Sequence, residues 1–211
     1  MDLLARYRLF DTSLVSDALD DHGFDGVIQG LAPAHPDFTA VGRARPMRFE
    51  RVGGGKREEA TNFPYAMLER LAADEVFVID GVDDCSAWGG NASKLAAAAG
   101  LAGVVVDGGY RDVPDLRTED LPVFGATPTP QTGQRRVRVE SVGDPIEVRG
   151  VTVEAGDVVV ADATGVVVVP QAEAAAVADT AEATLGEERL LEAKIDAGAT
   201  VADLRDDAHE F

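Results

Sequence analysis

The segment LAGVVVD, residues 101–107, is the feature that most constrains the fold of this chain. Its valine run shows no polar alternation, which is typical of a strand buried on both faces. The preceding segment, NASKLAAAAG, is rich in alanine and ends at Gly100, where a helix would stop. EVFVID, residues 75–80, is a second apolar run of strand length. Together these segments predict an α/β fold in which helices and strands alternate.

The flanking segments extend this pattern in both directions. DTSLVSDALDDHG has a capping residue at Asp11 or Ser13 and a helix-ending Gly23, so it predicts a first helix. Further predictions are a strand over 39–52, a mobile glycine-rich loop at 53–55, a helix over 64–73, four short β-runs between 135 and 170 that form an antiparallel meander or barrel-like layer, and a helical segment from 171 onward. No repeat or linker divides the chain, so we expect one domain over residues 1–211.

The charge of the chain limits its partners. Its 38 acidic and 19 basic side chains give a formal net charge of −19, and the acidic residues are spread over the whole length. Nucleic-acid surfaces need clustered Lys and Arg, so we expect no nucleic-acid partner. Three of the cations are lysines, and such a surface suits a protein in concentrated salt, where charges are screened within about 3 Å at 1 M. These features predict a halophilic source.

The cysteine content of the chain and its lack of apolar targeting segments predict the cellular compartment. The single cysteine, Cys85, excludes an internal disulfide, fits a reducing compartment and has no visible activating neighbour, so we interpret it as inert. MDLLARYRLFDTS lacks the apolar core of a signal peptide, and no segment approaches the about 18 apolar residues of a membrane span. We therefore expect a cytoplasmic protein without a membrane partner.

Residues 89–112 carry the clearest signal for chemistry. Two glycines, Gly89 and Gly90, precede a helix whose free N–H groups near Asn91 and Ala92 would attract a carboxylate or phosphate. About twenty residues later, the strand VVVD is predicted to end at the glycine pair 108–109 and to lead into Arg111 and Asp112. In open α/β folds, ligands bind beyond the carboxyl ends of the strands.

Arg111 and Asp112 have side chains suited to one ligand set. The planar guanidinium of Arg111 can bind a carboxylate through two hydrogen bonds, and the carboxylate of Asp112 can bind a hard cation such as Mg²⁺. The pair could therefore bind a 2-oxo acid and a metal together. The alternative is that the two residues cap a helix and form a surface ion pair, and spacing alone leaves both open.

The chain resembles the 4-hydroxy-4-methyl-2-oxoglutarate aldolase family, which also includes the regulator of ribonuclease activity A. The resemblance covers residues 12 to 198 and includes TSLVSDALDDHG, VGRARPMRF, LAGVVVDGGYRDV, LPVF and GDVVVADATGVVVVP, in that order. It implies a swivelling-domain-like ββα fold with central sheet layers flanked by helices. It also implies a homotrimer or homohexamer with active sites at the subunit interfaces.

The resemblance implies a role for each candidate site residue. Arg111 would bind the pyruvyl carboxylate, and Asp112 would bind Mg²⁺ or Mn²⁺ largely through waters. The glycine turn at Gly90, with the amides of Asn91 and Ala92, would support the same substrate carboxylate. A glutamate from the C-terminal helix of a neighbouring subunit would approach the metal; Glu188 matches it, with Glu187 as the second choice.

One departure from the family pattern concerns Gly90, because the family's aldolases usually carry an acidic residue at this position. Its absence implies a shifted ligand, a different proton donor or lost aldolase activity. Asp83 and Asp84 are candidate substitutes or members of a surface turn. The predicted activity is therefore a lyase acting on a small 2-oxo acid, with a regulatory binding protein of the ribonuclease-regulator type and a lyase for longer substrates as alternatives.

The remaining polar residues are weaker candidates. Asp17 either faces the pocket or is a capping or solvated helix residue. Trp88 either forms the bottom of the pocket or packs against the sheet. Lys94 could form a Schiff base, but its alanine-rich helix favours a solvated lysine. The histidines are interpreted as structural or exposed: His22, His35 and His209.

Overall fold

We describe the protein from a computed structural model in residues 2–52 and 72–205. The helices are α1 (Leu3–Tyr7), α2 (Thr12–Asp21), α3 (Gly90–Ala98), α4 (Val113–Leu116), α5 (Ala174–Asp196) and α6 (Val201–Arg205). The strands are β1 (Val27–Ile28), β2 (Ala32–Pro33), β3 (Ala40–Arg51), β4 (Glu75–Asp80), β5 (Ser86–Trp88), β6 (Gly103–Tyr110), β7 (Val123–Pro128), β8 (Val137–Val142), β9 (Ile146–Val148), β10 (Val151–Val153), β11 (Val158–Ala161) and β12 (Val166–Val169). The predicted loop 53–55, most of the predicted helix 64–73 and His209 lie outside the described residues.

Within the described residues, ten strands form one mixed sheet. Eight of them follow the order β1-β12-β11-β3-β4-β6-β7-β2, while β5 pairs with β6 and β8 pairs with β3. Its centre is parallel, because β3 pairs with β4, β4 with β6 and β6 with β7 in the same direction. The short β5 pairs in parallel with the carboxyl end of β6. The carboxyl ends of these strands therefore meet at one edge of the sheet.

The apolar character of β4 and β6 follows from burial on both faces of this sheet. On β4, Phe77 and Ile79 belong to the core under α3, whereas Val76 and Val78 belong to a second core that contains the β9–β10 hairpin. The same division on β6 places Val104 and Val106 on one face and Val105 on the other. The prediction of strands buried on both faces is confirmed.

The C-terminal β-runs form as strands, but they do not form a separate layer. β11 pairs with residues 40–43 of β3, and β8 pairs with residues 47–51 of the same strand, both antiparallel. β3 is 12 residues long and so accommodates both partners along its length. The predicted meander is therefore wrong for these strands, which extend the central sheet, and β9 with β10 forms a two-stranded sheet of its own.

The N-terminal helices match the prediction in one case and extend it in another. Asp11 is the N-cap of α2 and accepts a hydrogen bond from the Leu14 N–H at 2.8 Å, and Gly23 follows the helix with a φ of 76°. The additional helix α1 precedes α2, and its Tyr7 hydroxyl donates to the Ala174 carbonyl at 2.8 Å. No helix in the described segments is long and apolar enough to cross a membrane.

Asp162 connects the start of α2 to the β11–β12 turn. Its carboxylate accepts hydrogen bonds from the backbone N–H and the hydroxyl of Thr12, and a third from the Thr164 N–H, each at 2.8 Å. Burial alone would raise the pKa of Asp162, but these hydrogen bonds outweigh it and lower the pKa below its ordinary value. The folded protein therefore prefers the ionised form of this group.

We expect Asp162→Asn to lower the urea midpoint of unfolding at pH 7, with a smaller difference from wild type at pH 3. A carboxyl whose pKa is lowered by folding stabilises the protein above its unfolded pKa of about 3.9, and this contribution is lost as the pH falls through the folded pKa. Asp120→Asn, at an exposed position, is the control. An Asp162→Asn deficit of equal size at both pH values would contradict the assignment.

Candidate functional site

The candidate site lies where β5 and β6 end side by side. Trp88, the last residue of β5, is in register with Tyr110, the last residue of β6, and the Arg111 N–H donates to the Trp88 carbonyl at 3.1 Å. The residues that follow each strand are therefore neighbours. This register brings the glycine pair at the start of α3 next to Arg111 and Asp112.

The predicted end of β6 was too early. The strand continues through Gly108 and Gly109 to Tyr110. β4 pairs with β6 as far as Asp107, and β5 then pairs with Gly109 and Tyr110. The second partner keeps the backbone extended beyond the glycine pair, so Arg111 and Asp112 follow the strand directly.

The Asp112 side chain is directed toward α3. Its Oδ2 accepts a hydrogen bond from the Gly90 N–H at 3.1 Å and lies 3.3 Å from Nε of Arg111. Asp112 occupies the N-cap position of α4 but makes no side-chain cap bond there, and its φ of 60° is in the left-handed region. Such a conformation in a non-glycine residue raises the energy by about 1–3 kcal/mol and is concentrated at functional sites.

The alternative of an ion pair next to a helix start is therefore partly realised. Arg111 and Asp112 do form an ion pair, and Asp112 does precede a helix. However, the Asp112 carboxylate binds the first residue of α3, and the side chains remain 38% and 36% exposed, within reach of a ligand.

The amino end of α3 is open to an anion. The helix spans nine residues and begins at Gly90, with Gly89 as its N-cap. The Ser93 N–H donates to the Gly89 carbonyl, whereas the N–H groups of Asn91 and Ala92 have no acceptor among the described residues. These two groups and the positive end of the helix dipole favour a carboxylate next to Arg111.

Gly89 allows Arg111 and Asp112 to approach the backbone closely. A Cβ at this position would lie 2.8 Å from Oδ2 of Asp112 and 3.1 Å from Cγ of Arg111. The φ of −170° is open to any residue, so the backbone conformation itself does not require glycine. The requirement for glycine comes from the two side chains that cover it.

Trp88 is part of the core next to the candidate site. It is 1% exposed, its ring meets Phe77 edge to face at 6.1 Å, and its Nε1 donates to the Ser93 hydroxyl at 2.7 Å. Of the two predicted roles, packing against the sheet is therefore correct. Burial also raises the pKa of the neighbouring Tyr110, which keeps that phenol protonated.

Several predicted candidates lie elsewhere in this chain. Glu188 and Glu187 are exposed on α5, which packs against α1 and α2 on a different part of the sheet. Asp83 and Asp84 form an exposed turn in which Asp84 pairs with Arg51. Asp17 lines a different pocket, of about 230 Å³, together with hydroxyl groups of α2.

The remaining candidates have ordinary structural contacts. Lys94 is exposed on α3, 3.6 Å from a carboxylate oxygen of Glu119. His22 shares a hydrogen bond of 2.9 Å with the Thr180 hydroxyl, and His35 lies 3.6 Å from the Asp37 carboxylate. Cys85 is a buried free thiol. Each of these contacts agrees with the structural interpretation of its residue.

Asp115 is a site neighbour that the sequence analysis missed. A Cβ at Gly90 would lie 3.1 Å from both the Cβ and Oδ2 of Asp115, and 3.5 Å from the Cβ of Asp112. Pro114 favours a helix start, and residues three apart on a helical turn share a side. The spacing of Asp112 and Asp115 around this proline was therefore a usable signal.

The acidic residues at this edge fit a weakly held divalent cation. Within residues 2–52 and 72–205, no three His, Cys, Asp or Glu side chains converge as a metal cage. Asp115 offers a carboxylate oxygen beside the space that a Cβ at Gly90 would fill, and Asp112, whose Oδ2 accepts from the Gly90 N–H, borders that space through its Cβ. Mg²⁺ commonly binds through one or two carboxylates and keeps several waters, so this donor set suits it.

The fold and this edge define an α/β protein with a candidate site for a small carboxylate. The chain belongs to the RraA-like family, because the model of that family, described as Aldolase/RraA, matches residues 12–168.

Individual relatives agree with this membership. Protein DlpA of Legionella pneumophila is 31% identical over 211 residues, which are 98% of this chain but 34% of DlpA, so the chain spans about a third of that relative. A Halalkalibacterium halodurans protein named "Putative 4-hydroxy-4-methyl-2-oxoglutarate aldolase" is 30% identical over 82% of this chain and 79% of its own length. Streptomyces coelicolor RraAS2, described as an unusual member of the RNase ES inhibitor RraA protein family, shares the fold with a TM-score of 0.81 at 24% identity, over 91% of this chain and 97% of its own.

Proposed function

We propose that this chain is a divalent-metal-dependent lyase that cleaves small 2-oxo acids. The observation that carries the proposal is the meeting of Arg111 and Asp112 at the open amino end of α3, with the Gly90 N–H bonded to Asp112. The aldolase name of a relative that matches over most of both chains supports a lyase. Steady-state release of pyruvate from oxaloacetate, with Mg²⁺ or Mn²⁺ and with EDTA, tests the proposal.

The residues of this chain have distinct roles in the proposed site. The guanidinium of Arg111 and the N–H groups of Asn91 and Ala92 bind the substrate carboxylate. Asp112, anchored by Gly90, holds the cation. A divalent cation supplies Lewis acidity that stabilises negative charge on the substrate oxygens.

The same bond is broken in two related substrates. In a 4-hydroxy-2-oxo acid, the C4 hydroxyl loses its proton and becomes a carbonyl, and the C3–C4 electron pair passes to C3. In oxaloacetate, the C3–C4 bond breaks, C4 leaves as CO₂, and the electron pair again passes to C3. Both give pyruvate enolate, and protonation at C3 completes the reaction. Groups that stabilise this enolate therefore serve both a retro-aldol and a decarboxylase activity.

We further propose that the working form is a homotrimer or homohexamer in which Glu188 reaches the site of a neighbouring subunit. In this chain, the second half of α5 is exposed, including Leu190 at 54% and Ile195 at 49%. Contiguous exposed apolar surface can mark an interface with another chain. A second chain over this helix would bring Glu188 into an interface.

The second candidate function is a regulatory binding protein, and Gly90 is the observation that favours it. The family resemblance predicts an acidic side chain at this position in the aldolases, and this chain has none there. A net charge of −19 would suit docking onto a basic partner. Metal-dependent turnover discriminates between the two functions, because a binding protein has no reason to release pyruvate.

We expect Gly89→Ala to reduce kcat/KM for oxaloacetate by about 10²-fold, because a misplacement of about 1 Å in a catalytic group has effects of that size. The new methyl group would displace Asp112 and Arg111. The melting temperature should change little, since the backbone at Gly89 is extended. Gly165→Ala, between β11 and β12, where a Cβ meets no atom within 4 Å, is the matched control. Full activity in Gly89→Ala would show that catalysis does not depend on the close approach of Asp112 and Arg111 to residue 89.

A further inference from the structure

Asp115 is held beside the candidate site by its own backbone. Its N–H donates to the Asp112 carbonyl at 2.8 Å, and its carbonyl accepts from the Thr118 hydroxyl at 2.9 Å. Its side chain is exposed, and its carboxylate has no hydrogen bond or ion pair with another described residue. The backbone hydrogen bonds of Asp115 therefore fix its position, while its carboxylate stays available to a ligand.

The Asp115 carboxylate lies at the amino end of α3. The space that a side chain at Gly90 would enter is bordered by Oδ2 of Asp115 at 3.1 Å and by the Cβ of Asp112 at 3.5 Å. The two aspartates, one at the N-cap of α4 and one in its first turn, therefore flank the same glycine. The Asp112 carboxylate is anchored to the Gly90 N–H, whereas Asp115 remains available to a ligand.

The charges around Gly90 are unbalanced. Arg111 lies next to Asp112, and Lys94, the cation on α3, lies next to Glu119. Asp115 has no basic side chain paired with it among the described residues. Two neighbouring carboxylates with one guanidinium leave a net negative charge, which a divalent cation would neutralise.

We infer that Asp115 is the second carboxylate of the cation site and stands in for a side chain at position 90. The inference rests on the proposed function, since it assigns a group to the same cation. It differs from the two candidates that the sequence offered, Asp83 and Asp84, which lie in an exposed turn where Asp84 pairs with Arg51. Asp115 reaches the site because α4 begins directly after Asp112.

The test is Mn²⁺ binding to the full chain, followed by the electron paramagnetic resonance signal of free Mn²⁺. We expect Asp115→Asn to weaken Mn²⁺ binding by about 10- to 100-fold, which is the usual effect of losing a supporting group around a metal. Asp112→Asn should weaken it at least as much. Asp120→Asn removes an exposed carboxylate of the following loop and should bind Mn²⁺ as wild type does. Circular dichroism melts verify that each variant is folded.

The outcomes separate this inference from the function on which it rests. If wild type binds Mn²⁺, Asp112→Asn weakens binding and Asp115→Asn does not, the role of Asp115 is overturned while the proposed function stands. If wild type itself binds no Mn²⁺, both are overturned. A loss in Asp115→Asn that Asp120→Asn matches would reflect general charge, and would also overturn the assignment.

Discussion

Replacing Arg111 by alanine is expected to lower kcat/KM for oxaloacetate by about 10²- to 10³-fold, the range found when one group that stabilises a transition-state oxyanion is removed. The guanidinium is the positively charged side chain next to Asp112, and its 38% exposure leaves it able to contact a substrate. Alanine removes both the charge and the planar fork that matches a carboxylate. Arg111→Lys keeps the charge without the fork, so its loss should be intermediate.

The control for Arg111→Ala is Arg8→Ala, which changes the net charge equally at the opposite edge of the sheet. Arg8 pairs with Asp74, just before β4, at 2.8 Å. Steady-state kinetics of the three variants and wild type, with the same metal, provide the comparison. Equal kcat/KM in Arg111→Ala and wild type would remove Arg111 from the proposed site.

Replacing Trp88 by alanine is expected to lower the free energy of unfolding by about 3–5 kcal/mol, the usual range for removing a large buried aromatic side chain. Trp88 is 1% exposed and packs on Phe77, so its removal leaves a cavity between α3 and the sheet. It also removes the indole N–H that donates a hydrogen bond to the fully buried Ser93 hydroxyl.

Urea unfolding at pH 7 measures this change. Trp88→Phe should destabilise the protein less than alanine does, because the phenyl ring fills part of the space. Phe24→Ala, at a position that is 36% exposed, is the control for loss of an aromatic ring near the surface. A change below about 1 kcal/mol for Trp88→Ala would contradict the assignment of Trp88 to the core, since deletions at buried aromatic positions exceed that value.

The sequence predicted the centre of the fold because burial there is simple. β4 and β6 are covered on both faces, so their residues are apolar throughout and stand out in the sequence. α3 is marked by alanines and by Gly100, which follows it with a φ of 83°. These are local signals, and they also placed Arg111 and Asp112 just beyond the carboxyl end of a strand, although the strand itself continues further than predicted.

Pairing and close approach were harder to predict. β5 has three residues, too few for any periodicity, yet its pairing with β6 extends that strand and aligns Trp88 with Tyr110. The C-terminal strands formed as predicted, but which edge of β3 each would join is set by long-range packing. The contacts over Gly89 likewise depend on two segments that are distant in sequence.

Two acidic residues show the limits of the site prediction in opposite ways. Asp115 was missed because a carboxylate in a turn is ordinary, and its significance depends on its distance from Gly90. Glu188 was proposed from the family resemblance, and its own chain places it on an exposed part of α5. Its role can be tested only in the assembly, because a second subunit would have to bring it to the site.

The most direct test of the proposed function is steady-state release of pyruvate from oxaloacetate and from 4-hydroxy-4-methyl-2-oxoglutarate. The assay is run in high KCl with Mg²⁺ or Mn²⁺, and again with EDTA, against the rate of the free metal. We predict turnover well above the free-metal rate that EDTA abolishes, with the ratio of the two rates showing which substrate is preferred. Turnover no faster than free metal alone would contradict the proposal and favour a regulatory binding protein.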